Sequence, residues 1–392
     1  MDTNSAWLGR RFANRGISVS KKVSVADDVH AICRELETAL LDKSDFIILT
    51  GGLGPTHDDI TVDAVSNLLN LKRTIDTDYL NELKLKFGKR GMKMPENNTN
   101  QAYVYTGSEI IPNAGGSARG LAVKKNNSSV FVLPGVPYEM KQMFVDTIES
   151  EYLPECDKKC IVTLRTMGIA ESRLAEKIQV VLDKWADTLM VAFLPSHLGV
   201  DVRLTIQPDN DLNLDIITEE FKRSIGKYFF GLDEEKLEEV VLSKLQSQRK
   251  TLAVAESCSG GNLARFITSV SGSSNVFLGG IVAYNNDLKT ELLNIDPKVI
   301  EKNGAVSEAV AEQMALAVRE KTGADVGIGI TGISGPTGGT LEKPVGLVYI
   351  ALSDAIEVNV RRFVLIDQRI LHQEMTSYVA LNMTRRWCDG QQ

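Results

Sequence analysis

The sequence reads TLAVAESCSGG, NLARFITSVSGSSNVFLGG and IVAYNNDLKTELL in succession across residues 251–293, and the prediction of the C-terminal fold starts from this stretch. TLAVA is a short run of small and β-branched apolar residues, which predicts a buried strand. A glycine turn follows it, NLARFITSV carries apolar residues at helical spacing, and GGIVAYNN predicts the next strand. We expect Asp287 to cap the helix that comes after. Strands and helices that alternate through glycine turns indicate an α/β domain.

Three side chains of this stretch could meet at one edge of the sheet. Ser274 lies in a polar turn, Tyr284 leaves a strand, and Lys289 lies in the first turn of a helix. A serine hydroxyl is a weak nucleophile until a neighbour accepts its proton. None of the four histidines lies here, but a lysine can take that role if burial keeps its amine neutral. The trio therefore suits amide hydrolysis, although most Ser and Lys side chains are simply solvated.

Length and composition restrict the class of protein. A chain of 392 residues suggests two or three domains, and 44 basic against 51 acidic residues give a net charge of −7, which leaves no basic face for nonspecific binding of nucleic acid. No apolar run is long enough to cross a membrane, and no signal peptide is recognised, so we expect a cytoplasmic protein. Five scattered cysteines predict free thiols, and nothing near Cys156 and Cys160 completes a zinc site.

The first 154 residues alternate helical and strand patterns. TNSAWLGRRFANRG, DDVHAICRELETALLDKS and VPYEMKQMFVDTIESEYL predict helices, and ISVSKKVSV, FIILT and SSVFVL predict strands. This order favours a parallel sheet that is covered on both faces. Ligands bind such sheets beyond the carboxyl ends of the strands, where GGLGPT and PGVP fall. Glycine turns bring N–H groups to a phosphate, and Asp58 and Asp59 could hold a divalent metal beside it; the alternative is a plain turn and helix cap.

The rest of the chain divides into a small segment and a larger one. Residues 155–232 predict strand, helix, strand and helix, with no GXXG loop for nucleic acid, so a structural or dimer-forming role is favoured. After the stretch described above, DVGIGITGISGPTGG predicts a strand that runs into a glycine-rich loop. That loop suits a phosphate, but it could equally be a connector. Two paired strands and a closing helix, LHQEMTSYVALNMTRRW, complete the prediction.

The C-terminal motifs resemble one family. AESCSGG, GSSNVF, GGIVAYNNDLK, GAVSEAVAEQMA and TGISGPTGG, in that order, resemble the C-terminal domain of the CinA family, a nicotinamide mononucleotide amidohydrolase. The resemblance implies deamidation without a cofactor by Ser274, Tyr284 and Lys289. It also implies that the residues at the substrate are Glu256, Ser257, Cys258, Ser259, Gly260, Gly261, Thr331, Gly332, Ser334, Gly335 and Arg369. Ser259 stands where the family has Thr, and Gln373 where it has a second Arg, which would weaken the hold on phosphate.

The N-terminal motifs resemble the same family. TGGLGPTHDDIT, MPENNTNQA and LPGVPYEM are similar to its first domain, whose fold is like that of the molybdopterin-binding MoaB/MogA proteins and which in some members hydrolyses ADP-ribose with a divalent metal. The implied nucleotide site is Gly52, Gly54, Thr56, Asp59, Asn98, Gln101, Gly135 and Glu139, with Pro137 beside it and Asp58 and Asp59 at the metal. The family's opening strand and Gly-(Thr/Asp)-Glu turn do not precede Asp2, so we expect this activity to be weak.

Together these observations predict an α/β protein of three domains. A MoaB/MogA-like parallel sheet lacking its first strand spans residues 1–154, a small KH-like α/β domain 155–232, and an amidohydrolase domain 233–392. The expected reaction turns nicotinamide mononucleotide into nicotinic acid mononucleotide and ammonia, in a homodimer. Two alternatives stay open: metal-dependent ADP-ribose hydrolysis in the first domain, which chelation would abolish, and a nucleotide-binding protein without catalysis.

Overall fold

A computed structural model describes residues 2–154, 161–206 and 213–391 of the chain. Its contacts form two compact units, Met1–Lys159 and Cys160–Gln392. Cys156 and Cys160, considered above for zinc, lie outside the described residues. None of the described helices combines the length and the hydropathy that a membrane span requires.

The described residues of the first unit form six α-helices. They are α1 Thr3–Asn14, α2 Val29–Leu41, α3 Thr61–Leu69, α4 Thr77–Lys89, α5 Pro137–Met143 and α6 Glu149–Glu151, with a π-helical turn between the last two. The carboxylates of Asp2, Asp28 and Asp76 cap α1, α2 and α4 by accepting backbone N–H groups of their first turns. The helix predicted over DDVHAICRELETALLDKS is thus present as α2.

Strands of the first unit form a mixed sheet and a separate ribbon. They are β1 Phe46–Thr50, β2 Arg73–Ile75, β3 Tyr103–Tyr105, β4 Ser108–Ile111, β5 Gly120–Lys125 and β6 Ser128–Leu133. The sheet has the order β1-β6-β5-β4, in which β1 and β6 are parallel and the other pairs antiparallel, while β2 and β3 pair with each other. The predicted parallel pairing is present between β1 and β6, whose ends carry both predicted phosphate turns, and two antiparallel pairs extend the sheet.

Both faces of this sheet are covered, as the alternation along β6 shows. Phe131 and Leu133 join a core cluster with helices α1 and α5, whereas Val130 and Val132 join a second cluster with α2 and α3. Successive side chains of a strand point to opposite faces, so one strand supplies both cores.

The strand predicted over ISVSKKVSV is wrong. Residues 17–25 have no strand or helix, and Val19, Val23 and Val25 are between 44% and 54% exposed. The segment alternates valine with serine and lysine, but no neighbouring strand pairs with it. Alternation without a partner backbone leaves the N–H and C=O groups to solvent and does not make a strand.

The second unit begins with a four-stranded antiparallel sheet. Its strands are β7 Ile161–Thr166, β8 Leu189–Pro195, β9 Val200–Ile206 and β10 Phe229–Leu232, in the order β10-β7-β9-β8, and it packs against helices α7 Glu171–Lys184 and α8 Leu214–Ile225. The sequence predicted only β7 and β9 of these strands. This part has no GXXG sequence, which is the loop motif by which KH domains bind nucleic acid.

The remainder of the second unit is a three-layer α/β/α structure. Its elements are α9 Leu237–Ser247, β11 Leu252–Glu256, α10 Asn262–Thr268, β12 Phe277–Val282, α11 Asn286–Leu293, α12 Pro297–Asn303, α13 Glu308–Thr322, β13 Val326–Gly332, β14 Leu347–Ser353, β15 Val358–Val364 and α14 Arg369–Cys388. The sheet order is β12-β11-β13-β14-β15; the first three strands are parallel and the last two antiparallel.

Two cores hold the layers together. Along β11, Val254 joins the cluster of α9, α10 and α14, while Ala253 and Ala255 join the cluster of α11 and α13. Helix α13 approaches the sheet closely because β13 carries glycines: a Cβ at Gly329 would lie 2.3 Å from the Ala311 carbonyl oxygen. All the helices and strands predicted in this part are present, but Asn285 rather than Asp287 caps α11, since its Oδ1 accepts the Asp287 N–H.

The closing helix α14 is also tied to the four-stranded part. Arg385, near its C-terminal end, is 2% exposed. Its Nη1 donates to the Phe229 carbonyl (3.0 Å) and Asp389 (3.1 Å), and its Nη2 donates to the Lys227 carbonyl (2.7 Å). A buried guanidinium with this many partners fixes the end of the helix.

Candidate active site

The site lies at the carboxyl edge of three parallel strands. The turn after β11, the turn after β12 and the glycine-rich loop after β13 meet there, because parallel strands end at the same edge of a sheet. The first turn of α14 packs against them and supplies Arg369, His372 and Gln373.

Glu256 fixes the turn after β11. Its side chain is fully buried, and its two carboxylate oxygens accept N–H groups from Gly261 (3.1 Å), Leu263 (3.1 Å) and Ala264 (2.8 Å) at the start of α10. A carboxylate at a helix N-terminus is favoured by the aligned N–H groups. Gly260 and Gly261 both have positive φ, so the turn needs glycine there. Glu256 therefore shapes the turn, and both of its oxygens are engaged.

Cys258 and Ser259 lie inside the same turn. Burial raises the pKa of the Cys258 thiol to about 12, which keeps it protonated and unsuited to act as a nucleophile. Its carbonyl accepts from Gln373 Nε2 (3.1 Å), and Ser334 Oγ lies 3.2 Å from the same carbonyl oxygen. In the described part of the chain the buried Ser259 hydroxyl has no hydrogen-bond partner. Ser257, also buried, donates its N–H to the Ile330 carbonyl.

Lys289 is the buried amine of the site. It is 2% exposed, and its Nζ donates to the carbonyls of Ala283 (2.9 Å) and Tyr284 (3.4 Å). Burial lowers the pKa of Lys289 below its ordinary value, with the Cys258 thiol opposing the effect weakly. A neutral amine has two N–H donors and one lone pair. Both donors are used by the two carbonyls, which leaves the lone pair to accept a proton.

Tyr284 and Ser274 face the solvent. The Tyr284 hydroxyl accepts a hydrogen bond from Arg369 Nη2 (2.6 Å), and Arg369 Nη1 donates to the Gly335 carbonyl (2.9 Å). Ser274 lies exposed in the 3₁₀ turn before β12. The structure thus brings Tyr284 next to Lys289 through its main chain, whereas no hydrogen bond within the described residues joins Ser274 to either.

Contacts with neighbouring segments hold the start of the glycine-rich loop in place. Thr331 Oγ1 donates to the Ala305 carbonyl (2.7 Å), and a Cβ at Gly332 would lie 2.9 Å from Cys258 Sγ. Both residues were predicted to meet the substrate. Thr331 is buried and Gly332 half-buried, so both support the loop, whose exposed part begins after Gly335.

His372 is the residue of this site that sequence reasoning missed. It is fully buried; its Nδ1 lies 2.9 Å from Ser334 Oγ and its Nε2 3.1 Å from the Gly346 carbonyl. Since a carbonyl can only accept, Nε2 carries the proton and Nδ1 accepts from Ser334. Burial lowers the pKa of His372, which agrees with this neutral form. One signal was available: His372 follows Arg369 by one helical turn.

The side chain of Gln373 is hydrogen-bonded to the turn after β11. Its Nε2 donates to the Cys258 carbonyl, and its own carbonyl accepts from Asn262 Nδ2 (3.3 Å). The sequence predicted a lost phosphate contact at this position. The side chain instead braces the backbone of the turn after β11.

In the first unit, four of the eight predicted nucleotide residues line one cleft. They are Gly52, Gly54, Asp59 and Gln101, and Arg73, Tyr103, Tyr105 and Arg119 line it as well. The other four are not among the lining residues: Thr56 donates to Asp59 Oδ2 (2.6 Å), Asn98 Nδ2 donates to Gln101 Oε1 (3.2 Å), Glu139 Oε2 accepts from Asn113 Nδ2 (2.6 Å), and the Gly135 carbonyl accepts from Asn4 Nδ2 (2.8 Å).

The predicted metal position is only partly suited to a divalent ion. One oxygen of Asp59 already accepts the N–H (2.9 Å) and the hydroxyl (2.6 Å) of Thr56, and Asp58 is exposed. Within residues 2–154, 161–206 and 213–391 no group of three or more His, Cys, Asp or Glu is placed to hold a metal. Two carboxylates supply too few oxygens for such an ion, so a ligand phosphate and water would have to complete the set.

Comparisons with known proteins match all three parts of the chain. A probable molybdopterin binding domain matches residues 1–154, the damage-inducible protein CinA KH domain residues 162–231, and the CinA C-terminal domain residues 234–388. A CinA-like protein of Thermotoga maritima is 37% identical over 393 residues, covering 100% of this chain and 95% of that protein. A CinA-like protein of Salinibacter ruber is 37% identical over 395 residues, covering 98% and 95%. The competence/damage inducible protein CihA from Agrobacterium tumefaciens, of known structure, is 34% identical, covers 38% of this chain and 90% of its own, and has a TM-score of 0.37. The 37% identity to CinA-like proteins over nearly the whole chain shows that the chain belongs to the CinA family.

Proposed function

We propose that residues 233–392 form a serine amidohydrolase that converts nicotinamide mononucleotide into nicotinic acid mononucleotide and ammonia. The observation that supports this most is Lys289, a buried amine whose lowered pKa favours the neutral base and whose two donors are already bound to carbonyls. It lies in the first turn of α11, which begins just after Tyr284, at the edge where the glycine loops meet.

The reaction follows from these residues. Ser274 Oγ attacks the carboxamide carbon, and its proton passes to Lys289 while Tyr284 orients the pair. Collapse of the tetrahedral intermediate breaks the C–N bond; the leaving nitrogen takes the proton from Lys289 and departs as ammonia. Water then attacks the ester on Ser274 with Lys289 again as base, which releases the acid and restores the serine.

Backbone N–H groups would stabilise the oxyanion, and the structure narrows the choice. The N–H groups of Ser257, Gly260 and Ser273 donate to the carbonyls of Ile330, Ser257 and Val270. They are therefore engaged in the fold. From the other N–H groups of these two turns, which belong to Cys258, Ser259, Gly272 and Ser274, we propose those of Ser259 and Ser274 as the donors, each worth about 3–4 kcal/mol in the transition state if well aimed.

An assay of ammonia release from nicotinamide mononucleotide tests the proposal. Ser274→Ala should lower kcat by a factor of about a thousand or more, because it removes the nucleophile. Ser273→Ala is the matched control, since it deletes the neighbouring hydroxyl of the same turn and should leave turnover within a factor of about three. No ammonia from the wild-type chain, or equal turnover of both variants, would refute the proposal.

The cleft of the first unit supports a second proposal, hydrolysis of ADP-ribose. Four predicted residues line this one cleft, and Asp58 and Asp59 are the carboxylates that would hold a divalent ion to neutralise phosphate charge. Chelation separates the two activities. It should abolish release of AMP from ADP-ribose and leave release of ammonia unchanged.

A further inference from the structure

Arg119 lines the cleft of the first unit and was not among its predicted ligand residues. It directly precedes β5 and shares the cleft with Gly52 and Gly54 of the glycine turn. A cation beside a glycine turn is suited to an anionic ligand, because both supply hydrogen-bond donors.

The guanidinium of Arg119 is held in place from two sides. Its Nη1 donates to Asp76 Oδ2 (2.7 Å), and its central carbon lies 3.7 Å from the centre of the Tyr79 ring. Both partners belong to the start of α4, where Asp76 also accepts the Tyr79 N–H. The Tyr79 hydroxyl in turn donates to the Ser117 carbonyl (2.9 Å), two residues before Arg119. The side chain is 12% exposed, so its orientation is set before any ligand arrives.

One edge of this guanidinium has no partner. Within the described residues, Nε and Nη2 of Arg119 are buried and make no hydrogen bond. Buried donors without partners are rare, and on a charged group they are costly. These two N–H groups are parallel, and their spacing matches two oxygens of one phosphate or carboxylate.

Other charged groups also line the cleft. One oxygen of Asp59 accepts both donors of Thr56. The side chain of Arg73 is 58% exposed and lies over the Tyr103 ring, 3.9 Å from Asp63. Of the two arginines, Arg119 is the one that its neighbours hold in a fixed orientation.

We infer that Arg119 is an anion-recognising residue of this cleft, whose Nε and Nη2 bind a phosphate group of a small phosphorylated ligand. The inference deepens the second proposal, because it names a residue that binds the substrate class of that cleft. It concerns binding only and does not require hydrolysis.

Hydrogen exchange of the full chain with AMP as probe tests the inference, in EDTA so that no metal-dependent hydrolysis intervenes. AMP should slow exchange over residues 51–59 and 113–121. Adenosine, which lacks the phosphate, should need an about tenfold higher concentration to give the same protection. Peptides of the first unit report this cleft separately from any nucleotide bound at the C-terminal site.

Arg119→Lys is the test variant, because it keeps a positive charge beside Asp76 but removes the paired N–H edge. It should raise the AMP concentration needed for half protection by about tenfold. Lys86→Gln is the matched control. It removes a positive charge from α4, the helix that contains Tyr79, and Lys86 Nζ lies 5.8 Å from the Tyr79 ring. This variant should leave protection unchanged. Thermal unfolding checks that both variants stay folded.

Three outcomes overturn the inference: no protection by AMP in the wild type, equal protection by adenosine, or equal protection in Arg119→Lys. If AMP protects the cleft through Arg119 but ADP-ribose is not hydrolysed when metal is added, the second proposal fails and the inference stands.

Discussion

The variant Lys289→Met tests the proposed role of Lys289 as the base separately from its contribution to stability. Methionine keeps the length and apolar stem of the lysine but has no amine. The Ala283 carbonyl is buried and loses its donor, at a cost of about 1–3 kcal/mol, whereas the Tyr284 carbonyl is partly exposed and can bond water instead. Relief of the buried amine offsets part of this cost. We expect a net change of at most about 3 kcal/mol, below the 5–15 kcal/mol that usually holds a domain together.

Activity should respond far more strongly than stability. A positioned general base contributes a factor of about 10²–10⁴ to the rate, or roughly 3–5 kcal/mol of activation free energy. Ammonia release by Lys289→Met should fall by that factor, while its Tm should fall by at most about 10 °C. Lys298→Met, at an exposed position of α12, is the control and should change neither.

The pH dependence of the wild type has a defined sign. The pKa of Lys289 in the folded protein lies below its ordinary value of 10.5. Between these two pKa values the unfolded chain binds more protons than the folded one, so the lysine's contribution to stability rises with pH and is complete above 10.5. The rate of ammonia release should rise through the lowered pKa and then level off.

Measurement of kcat and of unfolding by urea, each from neutral to alkaline pH, covers both expectations. The difference in unfolding free energy between wild type and Lys289→Met isolates this one group from the other titrating residues. If Lys289→Met keeps more than about a tenth of the wild-type rate, or if the wild-type rate is flat with pH, Lys289 is not the base.

Two further predictions concern groups that are buried at the site. His372→Asn keeps an acceptor for Ser334 and should retain most activity. His372→Leu removes that acceptor and should raise KM for nicotinamide mononucleotide more than it lowers kcat. Equal kinetics of the two variants would contradict this role. Cys258, buried and with its pKa raised to about 12, should resist alkylation in the native protein and react only on unfolding, which mass spectrometry of trypsin peptides checks; rapid native alkylation would show that the turn opens.

Much of the architecture could be predicted because local patterns coincide with the tertiary fold. TLAVA and DVGIGI became buried central strands, and each predicted helix of the C-terminal part is present. Where pattern and pairing diverged, the prediction was wrong: residues 17–25 alternate like a strand but have no partner. The four-residue strand β10 was missed because its partner β7 is distant in sequence. The strand β8 was missed although it has seven residues and forms a hairpin with the adjacent β9.

The site was predictable in its motifs but not in the work that each residue does. A sequence shows Glu256 near a glycine turn, but not that its carboxylate faces the N–H groups of α10. It shows Lys289, but not that carbonyls rather than carboxylates surround it. His372 could not be found by motif at all, because its partners Ser334 and Gly346 come from a loop and a strand entry that only the fold brings to the closing helix.

Helix α14 makes fixed contacts at both of its ends. Its 20 residues span about 30 Å; Arg385 anchors one end to the four-stranded part, and Arg369 touches Tyr284 at the other. A rigid tilt of about 5° about the Arg385 anchor displaces Arg369, roughly 24 Å away along the helix, by about 2 Å. A displacement of that size would stretch the 2.6 Å hydrogen bond between Arg369 and Tyr284 beyond hydrogen-bonding distance. A small change in the four-stranded sheet can therefore break a contact of Tyr284.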